Sequence, residues 1–183
     1  MSRIGNNPIV LPQGVEVTFA DDMVLVKGPK GELQMPMHKA IKVEEEEGKL
    51  IVKRKRENQE GRSMHGLIRT LINNMVVGVT TGWTKNLEMV GVGYRAQGGG
   101  TTMTLNVGYS HPVKIEAPEG ITFTVADNTK LSVAGIDRAL VGQIAANIRA
   151  VKSPEVYKGK GIRYVGEYVR KKAGKAGKAA GGK

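Results

Sequence analysis

The segment "SPEVYKGKGIRY", Ser153 to Tyr164, sets three basic side chains, two glycines and two tyrosines within twelve residues. Lys158, Lys160 and Arg163 offer charge-assisted hydrogen bonds to phosphate oxygens. Gly159 and Gly161 carry no side chains, which would let backbone N–H groups come close to an anion. Tyr157 and Tyr164, with Tyr168 just beyond, present rings that can pack against sugars or stack on an unpaired base. The phosphate loop of nucleotide enzymes is a poor match, because Gly159-Lys160 is followed by Gly161 and not by Ser or Thr.

The charge around this segment points the same way. The 183-residue chain has a net charge of +11. From Lys152 onward, ten Lys or Arg stand against Glu155 and Glu167, a net of +8, which leaves +3 for everything before. Basic character therefore belongs to the C-terminal end, and its expected partner is an anionic polymer. From Arg170, Lys171 and Lys172 to Lys183 the chain uses only Arg, Lys, Ala and Gly. Such a tail buries too little apolar surface to order by itself, so it reads as a cationic arm that orders on contact with RNA. A smaller cluster, Lys53-Arg54-Lys55-Arg56, reads equally well as a solvated face.

Other chemistries find little support. "GVGYRA", Gly91 to Ala96, satisfies the dinucleotide pattern, but a glycine turn and a second strand are expected after it where that pattern needs a helix. His38, His65 and His111 are far apart in sequence and lack ligand spacing, so no metal site is expected. Glu44 to Glu47 reads as a solvated hairpin tip. The chain has no cysteine, which removes disulfides and thiolate metal sites. It lacks the long apolar runs of a spanning helix or a signal peptide, so no membrane, no cofactor and no small-molecule substrate is expected. The expected location is the cytoplasm.

The elements that must position the basic segment follow from periodicity. "VEVTF", "MVLVKG", "GELQM", "IKVEEE" and "KLIVKRK" alternate apolar and polar residues between turn-formers such as Asp21-Asp22. Met64, Leu67, Ile68, Leu71, Ile72 and Met75 then form one helical stripe. The plan repeats with "NLEMV", "TMTLNV", "VKIEA", "ITFTV" and "KLSVAG". A second helix follows, marked by Leu140, Val141, Ile144, Ile148 and Val151, with Asp137 as N-cap and Pro154 as stop. Met23, Leu25, Gly28, Leu33 and Met35 match residues 80 positions later, and Lys49, Leu50 and Val52 match residues 81 later. The predicted fold class is α+β, a tandem duplication of a small antiparallel sheet packed against one helix. The predicted domains are 1–81, 82–169 carrying the binding segment, and a basic tail, 170–183.

Phrases along nearly the whole chain carry a family resemblance: "SRIG", "GPKGEL", "RSMHGLIRTLINNMVVGVTTG", "VGVGYRAQ", "LNVGYSHPV", "APEGI", "VAGIDRALVGQIAANIR" and "PEVYKGKGIRY". In these the sequence closely resembles the bacterial-type large-subunit ribosomal protein six, the L-six family, and the last phrase is its most specific signature. It departs from the family at Val156, where proline is common, and at Asn6, where lysine is common. The resemblance implies a structural constituent of the large ribosomal subunit without catalytic activity. Its second domain would bind large-subunit ribosomal RNA near the translation-factor site, beside neighbouring large-subunit proteins at the stalk base. The binding residues it implies are Lys152, Tyr157, Lys158, Gly159, Lys160, Gly161, Arg163, Tyr164, Arg170, Lys171 and Lys172. An organellar ribosome is the other home the residues allow. A free-standing RNA chaperone and a nucleotide-dependent enzyme are the competing function classes.

Overall fold

The computed structural model describes residues 2–20, 22–46 and 48–174. The chain divides into two compact units: the first runs to Trp83 and includes Ile136–Arg138, and the second holds Thr84–Gly135 and resumes at Ala139.

In the first unit, β1 (Ile9–Val10), β2 (Glu16–Ala20), β3 (Met23–Gly28), β4 (Gly31–Pro36), β5 (Ile41–Glu46) and β6 (Lys49–Arg54) precede α1 (Gln59–Thr80). They form two antiparallel sheets, ordered β2-β3-β4 and β1-β6-β5. Alternation decides which side chains are buried, as the pleat requires: Val24 and Val26 of β3, Leu50 and Val52 of β6. The Asn58 side chain caps α1, accepting the Gly61 N–H at 2.7 Å. The helix covers the core with Ile68, Ile72, Met75, Val76 and Val79. Leu67 and Leu71, which the sequence places in this stripe, remain 49% and 39% exposed. The six-residue stripe is wider than the face the sheets cover, and Val76 and Val79 extend contact toward the helix end instead.

The second unit repeats the plan with β7 (Trp83–Val90), β8 (Arg95–Gly99), β9 (Thr102–Asn106), β10 (Val113–Glu116), β11 (Ile121–Ala126), β12 (Lys130–Gly135) and α2 (Arg138–Val151). Its sheets are β10-β9-β8 and β11-β12-β7-β13, where β13 is Gly161–Tyr164. The two units are alike, but the match of Met23 and Leu25 to Met103 and Leu105 is out of register by one residue. The buried pairs are Val24 and Val26 in β3, Met103 and Leu105 in β9. A one-residue slip exchanges the two faces of a strand, so burial fixes the register where residue identity does not. The match of Leu50 and Val52 to Leu131 and Val133 keeps burial on both sides.

Three strands lie outside the sequence expectations: β1, β8 and β13. The last matters most, because it is the second half of the basic segment. It pairs antiparallel with β7, Ile162 opposite Met89 and Arg163 opposite Glu88. Ile162 is fully buried. In the first unit the corresponding sheet ends at β1, so among the described residues β13 belongs to the second unit alone.

Candidate nucleic-acid interface

The basic segment leaves α2 at Val151, three residues before Pro154, and folds into a closed loop. Lys152 O accepts the Ile162 N–H at 2.8 Å, Lys160 O accepts the Glu155 N–H at 2.8 Å, and Glu155 O accepts the Gly159 N–H at 2.9 Å. These three bonds draw the two ends of the loop together and push its tip, Val156-Tyr157-Lys158, outward. All three tip residues are exposed.

The glycines have a task inside the loop as well. Gly159 and Gly161 are buried. A Cβ at Gly161 would lie 2.7 Å from Pro154 Cα and Ser153 O and 2.8 Å from Lys152 O, and its φ is +148°. Gly159, with φ +73°, has its N–H donated to Glu155. Missing side chains here let the loop pack on itself. Arg163 is likewise engaged inside the protein, its Nε donating to Glu88 Oε1 at 2.6 Å across the β7–β13 pair. Tyr164 holds its ring beneath Lys85 Nζ at 5.2 Å and Arg149 at 5.8 Å.

The cations that remain outward come from three places in the sequence. Lys158 sits at the loop tip; Lys152 and Lys160 are half-buried at its neck. Arg170, Lys171 and Lys172 return to the same loop: the Lys172 N–H donates to Val156 O at 2.8 Å, and Lys171 Cε lies 3.3 Å from where a Gly159 Cβ would be. So the first residues of the tail are laid against the loop, while 175–183 lie outside the described residues. Among the described residues, none of these six cations forms a salt bridge.

Two of the acidic residues nearby, Glu88 and Glu167, are tied to arginines, while Glu155 on the loop is exposed. Glu167 accepts Arg149 Nε at 2.9 Å and the Tyr164 N–H at 3.0 Å. The Arg149 guanidinium holds the Glu167 carboxyl below the ordinary glutamate range, and Glu167 in turn raises Arg149. With Glu88 tied to Arg163 and Glu167 to Arg149, the loop and tail show six ammonium and guanidinium groups against one exposed carboxylate, that of Glu155. Tyr157 and Tyr168 add rings that are 56% and 88% exposed. Sequence reasoning missed Arg149, Glu88 and Lys85, whose distance along the chain gave no local signal.

Two of the four cations in the first unit's cluster, Lys53 and Arg54, are paired with carboxylates. Lys53 bonds Glu44 and reaches Glu46 at 3.4 Å, and Arg54 pairs with Glu57 at 2.8 Å. "GVGYRA" follows β7 directly and its Arg95 and Ala96 already belong to β8, so a strand follows the glycines and the dinucleotide reading falls. The histidines remain apart: His38 pairs with Glu60 at 3.3 Å, buried His65 bonds Val52 O at 2.8 Å, and His111 lies in the β9–β10 loop. No helix among the described residues is long and apolar enough to cross a membrane.

The model of the family described as "Ribosomal protein L6" matches residues 11–82 and 90–165. The "Large ribosomal subunit protein uL6" of Clostridium novyi (strain NT) is 55% identical over 179 residues, 97% of this chain and all of the relative. The protein of the same name from Streptococcus pyogenes serotype M5 (strain Manfredo) is 56% identical over 178 residues, again 97% of this chain and all of the relative.

Proposed function

The chain belongs to the ribosomal protein L6 family, and from that premise we propose that it is a structural constituent of the large ribosomal subunit that binds large-subunit rRNA. It stabilises the RNA fold near the translation-factor site, beside neighbouring proteins at the stalk base, in the cytoplasm. It does so as two domains, 1–81 and 82–169, with the tail 170–183 as an additional arm.

One observation carries the rRNA reading: the loop tip and the start of the tail, separate in sequence, converge into one cationic surface, with Glu88 and Glu167 tied to arginines and Glu155 the one exposed carboxylate on the loop. That arrangement suits a phosphate backbone, which rewards several spaced point charges. Lys158, Lys160, Lys171 and Lys172 contact phosphates, with Lys152 and Arg170 at the margins, and Tyr157 packs against the backbone or a base. Gly159, Gly161, Arg163 and Tyr164 hold the loop in the shape that presents them.

The test is the salt dependence of binding to deproteinised large-subunit rRNA. K158A/K160A lowers the slope of log K against log salt by about 1.4 to 1.8, at roughly 0.7 to 0.9 per phosphate contact. An unchanged slope removes these lysines from the interface. Equal competition by unrelated RNA would favour a free-standing chaperone.

A further inference from the structure

The phrase "LNVGYSHPV" takes no part in the basic loop, yet the fold brings its exposed centre against the loop's neck. Tyr109 lies between β9 and β10, 42 residues from Val151, and its hydroxyl donates to the Val151 carbonyl at 2.8 Å. The next residue, Lys152, holds its Nζ 4.7 Å from the centroid of the Tyr109 ring. The His111 ring lies 6.4 Å from that of Tyr109 with 18° between their planes. Ser110 Oγ is 3.4 Å from His111 Nδ1.

The loop is built to hold these rings where they are. Gly108 has φ +78°, and a Cβ there would lie 3.4 Å from the Tyr94 ring, so the turn is pressed onto Tyr94 and sends Tyr109 outward. Tyr109 stays 47% exposed and His111 is exposed. Because the tyrosine hydroxyl already has its partner, what the residue offers a ligand is its plane. The His111 ring stacks nearly parallel to it and adds a second aromatic face. Lys152 sets its ammonium over one face of the Tyr109 ring, so a base stacks on what stays exposed of Tyr109 and on His111.

A flat aromatic surface beside one cation matches an unpaired nucleotide, whose base stacks on the rings while its phosphate meets the ammonium. A base inside a duplex is already stacked and cannot use the rings. We propose that Tyr109, His111 and Lys152 form a second RNA subsite that takes a single unpaired nucleotide, next to the phosphate-binding loop. The proposal rests on the rRNA-binding reading above and adds to it a base-stacking contact.

The experiment compares the full chain with its Y109L/H111L and Tyr109→Phe variants, bound to deproteinised large-subunit rRNA at one salt concentration and across a salt series. Losing one stacked base weakens binding about 5- to 150-fold in Y109L/H111L. Its salt slope stays unchanged, since every cation is kept. Tyr109→Phe keeps the ring and stays within twofold of the parent. Ultraviolet cross-linking of the unmodified chain to the rRNA yields a nucleotide adduct on the tryptic peptide 96–114, a readout that does not depend on the variants folding. Binding of Y109L/H111L within twofold of the parent, or an adduct on other peptides but none on 96–114, overturns the subsite and leaves the rRNA reading standing. Failure of the unmodified chain to bind the rRNA overturns both.

Discussion

Replacing Gly161 with alanine separates two roles for the glycines of the basic segment. If Gly161 is there so that a phosphate can approach, the variant folds normally and loses RNA affinity. If it is there so that the loop can close, the variant loses stability first. The new Cβ would stand 2.7 to 2.8 Å from three backbone atoms, Pro154 Cα, Ser153 O and Lys152 O. None of these is the end of a flexible side chain. Lys152 O cannot move aside without straining its bond to the Ile162 N–H, the first tie between the loop and β13. A side chain at φ +148° costs about 1 to 3 kcal/mol, and a buried backbone bond weakened or lost costs about 1 to 3 kcal/mol more. At roughly 4 to 8 °C per kcal/mol for a unit of this size, the second unit should melt on the order of 10 °C or more below the parent. Thermal denaturation followed by circular dichroism reads this directly, with rRNA binding measured well below both transitions. A variant that melts within about 2 °C of the parent while binding rRNA weakly would refute the loop-closing role.

The remaining predictions concern charge. Arg163→Ala should leave the salt slope of rRNA binding nearly unchanged, within about 0.3, because the guanidinium is held by Glu88. The same change should destabilise the second unit by about 1 kcal/mol, read by denaturant titration. Glu167 has its carboxyl pKa lowered in the folded state by the bond to Arg149, so its contribution is fully present above the ordinary glutamate value of about 4.3 and is lost as pH falls through the lower folded value. Glu167→Gln should therefore melt below the parent at pH 7, by the equivalent of about 1 kcal/mol, with the gap closing at pH values below 4.3. A gap that stays constant down to acid unfolding would contradict the Arg149 pairing.

Local patterning made most of the scaffold legible. Alternation located β2 to β7 and β9 to β12, and helical spacing located α1 and α2, because half-buried strands and covered helices write their burial into neighbouring residues. β1 is too short to alternate. β8 reads "RAQGG", with only Ala96 buried, so it carries almost no apolar signal. β13 hides because its single buried apolar residue, Ile162, is surrounded by the lysines and glycines that mark a loop. The cationic character of the segment was visible in composition. Which charges face outward was not, since that depends on Glu88 and Arg149, placed by strand pairing and by α2. Tyr109 went unnoticed for the same reason: its neighbour Lys152 is 43 residues away.

The duplication itself explains where the interface lies. Two copies of one sheet-and-helix unit share the strands that make a core, so whatever the copies share is accounted for by folding. What the second unit adds is the loop after α2, the strand β13 that docks it on β7, and the start of the tail that returns to Val156. Burying Ile162 stabilises this addition by about 1.5 to 3 kcal/mol, enough to hold one strand against the sheet edge. Once β13 is docked, the neck bonds fix the loop and the loop fixes the tail. A cationic surface drawn from two separated stretches is thereby held in one shape, so on the proposed RNA-binding reading less ordering entropy opposes binding than a free arm of the same charge would face.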